Sequence, residues 1–599
     1  MIGETPQMNE RKPSILRRIL RVLQIDSFSA LFHTRLDKSG SRLKLIAFAF
    51  VGLYCVIIGK MVHIGLKPDM QQSLKHAAAE AVAAARPDIL DRHGEILATD
   101  VRVMSVFAEP RRIIDKDEAV ELLTAALPDV DADELRKRID SKKGFIWVKR
   151  GVTPKEQRDV FRLGLPGVGF IPENKRVYPN GPVAAHILGH VDPDGHAMGG
   201  LETYIDRQGL SDLHGAGFDL APENLAPITT SIDLKATYAL REQLRWGMDR
   251  YHAKAAGGAI MDVNTGEVIA LVSLPDFDPN NGADALSPDK INRMTVGTYE
   301  MGSTFKAVTW AMGLESGLFN LNSSLDARQS LPVAGHLIHD FREPPVIFSY
   351  VQAFARSSNI GAARIAMRVG VDGHKAFLSK LGLFGRMVTE LPENAMPQVQ
   401  KNWSILTTAT VAFGQGIAEP PLQAAMAVMA MTNGGYLITP TFLRRSEQDA
   451  RASAPQVVSA KTSEEMRYLF RNDAIVGTAS KVNVPGYCVG GKTGTAQKVI
   501  GHSYSNDKVL TTFTALVPAD KPKYLYLVIF DEPQALPGDG GYHTAGYNAA
   551  IVTANAIKEI SPLLNMPPRL DLPDLPGNAA GLVKCDMDPA DVTGSIKSR

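Results

Sequence analysis

The longest apolar run in the chain is LIAFAFVGLYCVIIG, residues 45–59, which contains no charged residue. It is shorter than the ~20 residues a membrane-spanning helix needs, but KMVHIGL carries the apolar character on to Leu66. Lys60 can snorkel toward the headgroups, so the pattern predicts one transmembrane signal-anchor helix over 43–66. Nine Lys/Arg against four acids give residues 1–44 a net charge of +5, and a positive flank stays in the cytoplasm. A lead this long does not fit the n-region of a cleaved signal peptide, although AAAEAVAAA (77–85) offers small residues. Residues 1–42 therefore read as a basic cytoplasmic tail, with the body on the far side of the membrane, outside the cytoplasm.

Beyond the span the pattern changes twice. Over 67–228 it predicts mixed strands and short helices: a hairpin in ILDRHGEILATD (89–100), a capping box with Pro at the first helical position in Thr153-Pro154-Lys155-Glu156, and loop-rich structure over 164–200. From 229 to 564 it is more regular. Asp233 caps a helix over Leu234–Tyr251, and AGGAIMDVNTGEVIALVS (256–273) makes a hairpin around Asn264-Thr265-Gly266. A mainly helical stretch covers 301–435. Strands return at Tyr487–Gln497, Thr511–Val517 and Tyr524–Phe530, and a last helix covers 546–560. Short turns between strands imply an antiparallel sheet, so the fold class is α/β in the α+β sense. Residues 565–599, rich in Pro, Asp and Gly, read as a disordered tail.

Composition narrows the function classes. The 599 residues are 45% hydrophobic and 22% charged, which excludes wholesale disorder. Cys55, Cys488 and Cys585 are too few for a disulfide framework or a cysteine-rich zinc module, and whether Cys488 and Cys585 pair stays open. The overall net charge is only +1 and its basic excess is confined to the tail, so no nucleic-acid partner is expected.

Three short motifs carry candidate chemistry. In Ser303-Thr304-Phe305-Lys306 a hydroxyl and an amine three residues apart share one helix face, which suits a serine nucleophile deprotonated by a neutral lysine. Such a lysine must have its pKa pulled far below the ordinary amine range by burial and a second cation. Ser357-Ser358-Asn359 lies between helix-like segments at 348–356 and 361–369. Gly491-Lys492-Thr493-Gly494-Thr495 sits in a strand-like context; its small residues let a substrate backbone lie alongside, and Lys492 is the second cation. Each motif alone is unspecific. Residues 486–493 also satisfy the phosphate-loop pattern letter for letter, but no helix signal follows the lysine. No G-x-S-x-G elbow surrounds Ser303, so an α/β-hydrolase triad is unsupported.

In that order, S-x-x-K, S-x-N and K-T-G resemble the penicillin-recognising serine acyltransferases. ILDRHGEILA, RVYPNGPVAAHILGHV, GGLETYID, TTSIDLKAT, FGQG and TTFTALVPADKP extend the likeness to class B penicillin-binding proteins of the division-specific type, over about residues 45–560. The resemblance implies a penicillin-binding transpeptidase fold at 229–564, an antiparallel sheet flanked by helices plus a helical subdomain, behind an elongated pedestal (dimerisation-type) domain at 67–228. It implies a D,D-transpeptidase acting on peptidoglycan stem peptides through a Ser303 acyl-enzyme, with β-lactams as mimics. Lys306 would be the base; Ser357 and Asn359 would shuttle protons and hold the donor; Lys492 would tune the network. Thr493, Gly494 and Thr495 would bind substrate, and the Ser303 and Thr495 N–H groups would form the oxyanion hole. It implies no metal or organic cofactor, a carboxypeptidase side activity, and partnership with a membrane glycosyltransferase of the FtsW type and other division proteins. An elongation-type transpeptidase and a non-catalytic β-lactam or muropeptide sensor remain as alternatives. Ser358 departs from the Asp that often fills the second motif. The E-x-x-L-N stretch of class A β-lactamases is missing: Glu390-Leu-Pro-Glu-Asn394 fails at the Leu position. About 160 residues before the catalytic domain, with no glycosyltransferase motif, argue against a bifunctional synthase.

Overall fold

The apolar run does build a helix: in a computed structural model, α1 covers Gly40–Gly65. The structure describes residues 40–65, 85–210, 225–341, 346–501, 503–569, 583 and 585. The tail over 1–39 and most of the tail expected to be disordered beyond 569 lie outside the described residues. Side chains of α1 described from 46 to 62 are exposed. Among the described residues no helix is long and apolar enough to cross a membrane. The structure thus supplies the helix expected over 43–66 and not the crossing.

Residues 82–599 form a separate unit. Its first part is built on the 89–100 hairpin: β1 (Ile89–Leu90) pairs antiparallel with β2 (Ile96–Ala108). Helices α2 (Lys116–Ala126) and α3 (Ala132–Ile139) follow. Next come β3 (Ile146–Val152), α4 (Pro154–Leu163) and β4 (Val168–Val177); β3 and β4 flank β2. The Thr153–Glu156 capping box is present in both directions at the start of α4. β5 (Ile228–Thr229) adds parallel to β1 and leads into the second part.

The sequence segments that carry the resemblance meet in one buried charge network. Glu202 of GGLETYID is fully buried and accepts Arg86 Nε at 2.7 Å, Arg176 Nε of RVYPNG at 2.7 Å and Tyr178 OH at 3.2 Å. Arg86 also reaches Asp206 at 2.6 Å, and Arg176 reaches Asp100 at 3.1 Å. Burial pushes the Tyr178 phenol pKa up, and the Glu202 carboxylate adds to it.

The second part opens with α5 (Leu234–Tyr251), capped by Asp233, whose carboxylate accepts Ala236 N–H at 2.9 Å. β6 (Ala255–Asp262) and β7 (Val268–Leu274) form the expected hairpin. Helices α6 (Lys306–Glu315), α7 (Tyr350–Ala355), α8 (Asn359–Val369) and α9 (Ala460–Val476) make up much of the helical layer. β8 (Gly490–Ile500), β9 (Ser503–Val517) and β10 (Tyr524–Asp531) complete an antiparallel sheet in the order β8-β9-β10-β6-β7, and α10 (Ala549–Leu563) closes the domain. Along β10, Leu525, Leu527 and Ile529 join the core beneath α6–α9, while Tyr526, Val528 and Phe530 join the core with α5 and α10. Both faces are covered, which is why YLYLVIF reads as an unbroken apolar run.

Several expectations shift. The stretch expected to be mainly helical at 301–435 contains short ribbon strands at 324–326, 331–333, 336–338 and 347–349. β9 starts at Ser503 rather than Thr511, because its first half is a polar hairpin arm outside the core, where no apolar alternation marks a strand. α9 was not anticipated. Cys488 and Cys585 form a disulfide, so Val583 and Cys585 pack beside Ala519. With Asp520 these thiols make the one metal-like cluster among the described residues, and the disulfide closes it.

Removing Glu202 leaves two buried guanidiniums short of a counter-charge. Glu202→Ala should lower stability by about 3–5 kcal/mol in urea titrations; a loss below about 1 kcal/mol would contradict this account of the network.

Candidate active site

The three motifs converge between α6 and the edge strand β8. Gly302–Phe305 is a 3₁₀ turn leading directly into α6, and side chains three apart in such a turn eclipse, which sets Lys306 beneath Ser303. Ser303 is half-buried and Lys306 is 1% exposed, within a helix buried at every position from Lys306 to Leu314. Lys306 Nζ donates to the Ser357 carbonyl and, at 3.1 Å, to Ser357 Oγ. None of the described hydrogen bonds joins Lys306 to the Ser303 hydroxyl. Ser357 has φ +58°, a left-handed conformation that a non-glycine residue holds only under surrounding constraint. Ser358 caps α8, accepting Gly361 N–H at 2.9 Å, and Asn359 Nδ2 donates to the His339 carbonyl at 3.0 Å. That bond leaves the Asn359 amide oxygen for a substrate N–H.

Lys492 lies in β8, paired in register with Thr514, and is fully buried. A phosphate loop would need a helix there, so the structure excludes the nucleotide reading. Lys492 Nζ sits 3.1 Å from Asp473 Oδ2 and 5.3 Å from the centre of the Phe354 ring. The Asp473 contact is one of charge rather than an aligned hydrogen bond. Thr493 Oγ1 shares a hydrogen bond with Thr478 Oγ1 at 2.7 Å, and Thr495 Oγ1 accepts Ala545 N–H at 3.2 Å. The segment before α10 therefore abuts the third motif.

Close backbone approach explains the glycines. A Cβ on Gly494 would overlap the hydroxyls of Thr512 and Thr304 and sit 2.5 Å from the Met301 carbonyl. Those hydroxyls bond each other at 2.7 Å beneath the nucleophile turn. A Cβ on Gly302, at φ +54°, would lie 2.7 Å from the Thr495 carbonyl. The turn that carries Ser303 thus packs directly on the backbone of Thr495. Gly414 of FGQG, at φ +86°, packs on the Gly302 carbonyl from the other side.

Electrostatics follow from burial. Desolvation, then the Lys492 charge, hold the Lys306 pKa well below the ordinary amine range, against opposing pulls from Asp340 and Asp473. Burial raises the Asp473 carboxyl pKa, against Lys492. Asp340 was not anticipated: Oδ2 accepts Ser358 Oγ at 2.6 Å and Oδ1 accepts Ile360 N–H at 2.9 Å. A carboxylate is therefore present at the second motif, delivered from another segment rather than by its middle residue. The acids of the 390–394 stretch are engaged elsewhere. Glu390 accepts Thr441 Oγ1 at 2.6 Å and Phe442 N–H at 2.9 Å, and Glu393 accepts Gly200 N–H at 3.0 Å.

Comparison with known proteins agrees with this arrangement. Residues 256–557 match the family described as the penicillin binding protein transpeptidase domain, and residues 81–211 the penicillin-binding protein dimerisation domain. A probable peptidoglycan D,D-transpeptidase FtsI of Caulobacter vibrioides is 35% identical over 515 residues, 84% of this chain and 86% of that protein. A probable peptidoglycan D,D-transpeptidase PenA of Neisseria gonorrhoeae is 30% identical over 552 residues, 87% of this chain and 92% of that one. In fold, the chain is similar to penicillin-binding protein 3 of Mycobacterium tuberculosis complexed with ampicillin, with a TM-score of 0.63 at 23% identity over 84% of this chain and 99% of that one.

Gly494→Ala should push the nucleophile turn off β8. A displacement near 1 Å at the reacting groups costs about a hundredfold in rate, so acylation of the variant by a fluorescent penicillin should fall by about that factor. A rate within threefold of wild type would show that the contact does not set the geometry.

Proposed function

We propose, for a chain that belongs to the class B penicillin-binding proteins of the FtsI type and is a peptidoglycan D,D-transpeptidase, that Ser303 is the acylated nucleophile and a neutral Lys306 its base. The observation that carries this is the buried amine. A neutral amine has two N–H groups, and Lys306 directs donors at two acceptors on Ser357, its carbonyl and its hydroxyl. The lone pair is then left for the Ser303 proton.

On this reading, Ser303 Oγ attacks the carbonyl of the penultimate D-Ala as its proton passes to Lys306 Nζ. The backbone N–H groups of Ser303 and Thr495 hold the oxyanion, each such donor being worth roughly 3–4 kcal/mol. Collapse expels the terminal D-Ala, whose amine takes a proton through Ser357. A stem-peptide amine then attacks the ester and restores Ser303; water in its place gives carboxypeptidase activity. Asn359 orients the donor peptide, Lys492 sets the electrostatics, and Thr493 and Thr495 contact the donor carboxylate. Gly494 lets the substrate strand lie flat on the edge of β8.

We also read α1 as the transmembrane anchor, with residues 1–42 cytoplasmic, the 67–228 pedestal and the 229–564 catalytic domain periplasmic, and the 565–599 tail beyond them. The apolar run and the +5 lead support that orientation. A membrane glycosyltransferase of the FtsW type would then supply nascent strands on the same face, with other division proteins alongside.

Two outcomes are expected. A β-lactam should add to Ser303 at 1:1 by intact-mass analysis, with the label on the peptide containing residues 301–306; label on Thr304 or Ser357, or undiminished labelling of Ser303→Ala, would refute the nucleophile. A reporter fused after residue 70 should be active only outside the cytoplasm, and activity inside would overturn the topology.

A further inference from the structure

Two buried lysines face one another across this site, yet the groups that hold Lys492 in place lie outside all three motifs. Asp473, on α9, is fully buried. Its Oδ2 stands 3.1 Å from Lys492 Nζ, while its Oδ1 accepts Ala479 N–H at 3.0 Å and Thr478 Oγ1 at 3.2 Å. Thr478 Oγ1 in turn meets Thr493 Oγ1 at 2.7 Å. A single carboxylate therefore touches the first residue of the third motif directly and the second through one hydroxyl. The turn that permits this is tight: a Cβ on Gly477 would overlap Asp473 Oδ1 and lie 2.6 Å from the Ala355 carbonyl.

We infer that Asp473 is a positioning residue of the transpeptidase reaction: it holds the Lys492 ammonium by charge and the Thr493 hydroxyl through Thr478, so that one buried acid presents both the electrostatic and the substrate-binding group of β8. The inference rests on the proposed roles of Lys306, Lys492 and Thr493. Lys306 faces Lys492, Asp340 and Asp473, and of these three the Lys492 charge acts on it most strongly. Removing the Asp473 charge leaves Lys492 buried without a counter-ion, a state burial disfavours strongly. The Lys492 ammonium is then no longer held beside Lys306, and the weakening of its charge on Lys306 outweighs the loss of the smaller opposing pull from Asp473, so Lys306 holds its proton to higher pH. Thr478 acts differently. Thr478 gives its proton to Asp473, so the Thr493 hydroxyl donates to Thr478; without the Thr478 hydroxyl, Thr493 can rotate out of its place on β8 while the charges stay as they were.

The test is acylation of the full chain by a fluorescent penicillin from pH 5 to 9, with melting temperature measured alongside. Asp473→Asn keeps the size and hydrogen-bonding capacity of the side chain. Its acid limb should move to higher pH, as in Lys492→Ala, and its rate at neutral pH should fall about tenfold, the change that a one-unit displacement of a base's titration produces. Thr478→Val should leave the limb in place and raise the penicillin concentration needed for half-maximal rate. It also decides the question if Asp473→Asn fails to fold. An Asp473→Asn limb that stays put or moves to lower pH overturns the inference, as does unchanged half-saturation in Thr478→Val. Wild-type protein that takes no label at Ser303 would instead refute the underlying reading, so the two failures are distinct.

Discussion

Two lysine side chains buried within one site are the constraint around which this catalytic domain is arranged. Lys306 and Lys492 are 1% and 0% exposed, and water can solvate neither. Two like charges cannot both persist there at low cost, and the surroundings treat them differently. Lys306 emerges at the start of a helix whose other neighbours are apolar, with acceptors for two N–H groups and carboxylates only at a distance. Lys492 has a carboxylate at 3.1 Å and an aromatic face at 5.3 Å. Burial and the neighbouring charge thus push Lys306 toward its neutral form, while Lys492 has a carboxylate against it.

Excluding water demands close backbone packing, and the glycines of the motifs are its consequence. Gly302, Gly414 and Gly494 stand where the nucleophile turn, the FGQG loop and β8 touch main chain to main chain or main chain to hydroxyl. The left-handed Ser357 belongs to the same arrangement, since its carbonyl is one of the two acceptors for Lys306.

Much of this was legible in the sequence because local chemistry dictates it. The Asp233 cap, the Thr153–Glu156 box and the Asn264-Thr265-Gly266 hairpin are decided within a few residues, and each forms where expected. The order and types of the motif residues pointed to the family that the comparisons show. What escaped was the set of groups whose meaning depends on tertiary neighbours. Asp340 and Asp473 are ordinary acids until folding sets them against Ser358 and Lys492. A signal for Asp473 did exist, because it occupies the stripe of Met466, Leu469 and Phe470 on α9, where an acid has no reason to be unless it meets a cation. Reading it required the helix first, and α9 was missed. Asp340 offered no such signal, as it lies in an irregular segment. The β9 arm was lost because alternation marks a strand only where one face meets a core.

The position of β8 ties these features to catalysis. An edge strand presents unpaired N–H and C=O groups, which proteins normally cover, charge or distort to prevent association. Here the edge is buried yet open to pairing: Gly490–Thr493 are buried by α9 and the nucleophile turn, and no strand of the sheet pairs with them on that side. On the proposed reading an extended peptide adds to this edge. The peptide that adds there is aligned by the same backbone groups that flank its reacting carbonyl. Binding and stabilisation of the developing charge therefore draw on one element, and the buried acid behind Lys492 and Thr493 fixes that element from the rear. Rigidity behind the strand and an unpaired edge in front of it are two sides of one requirement, because an edge free to move would lose the alignment and an edge already paired could not bind.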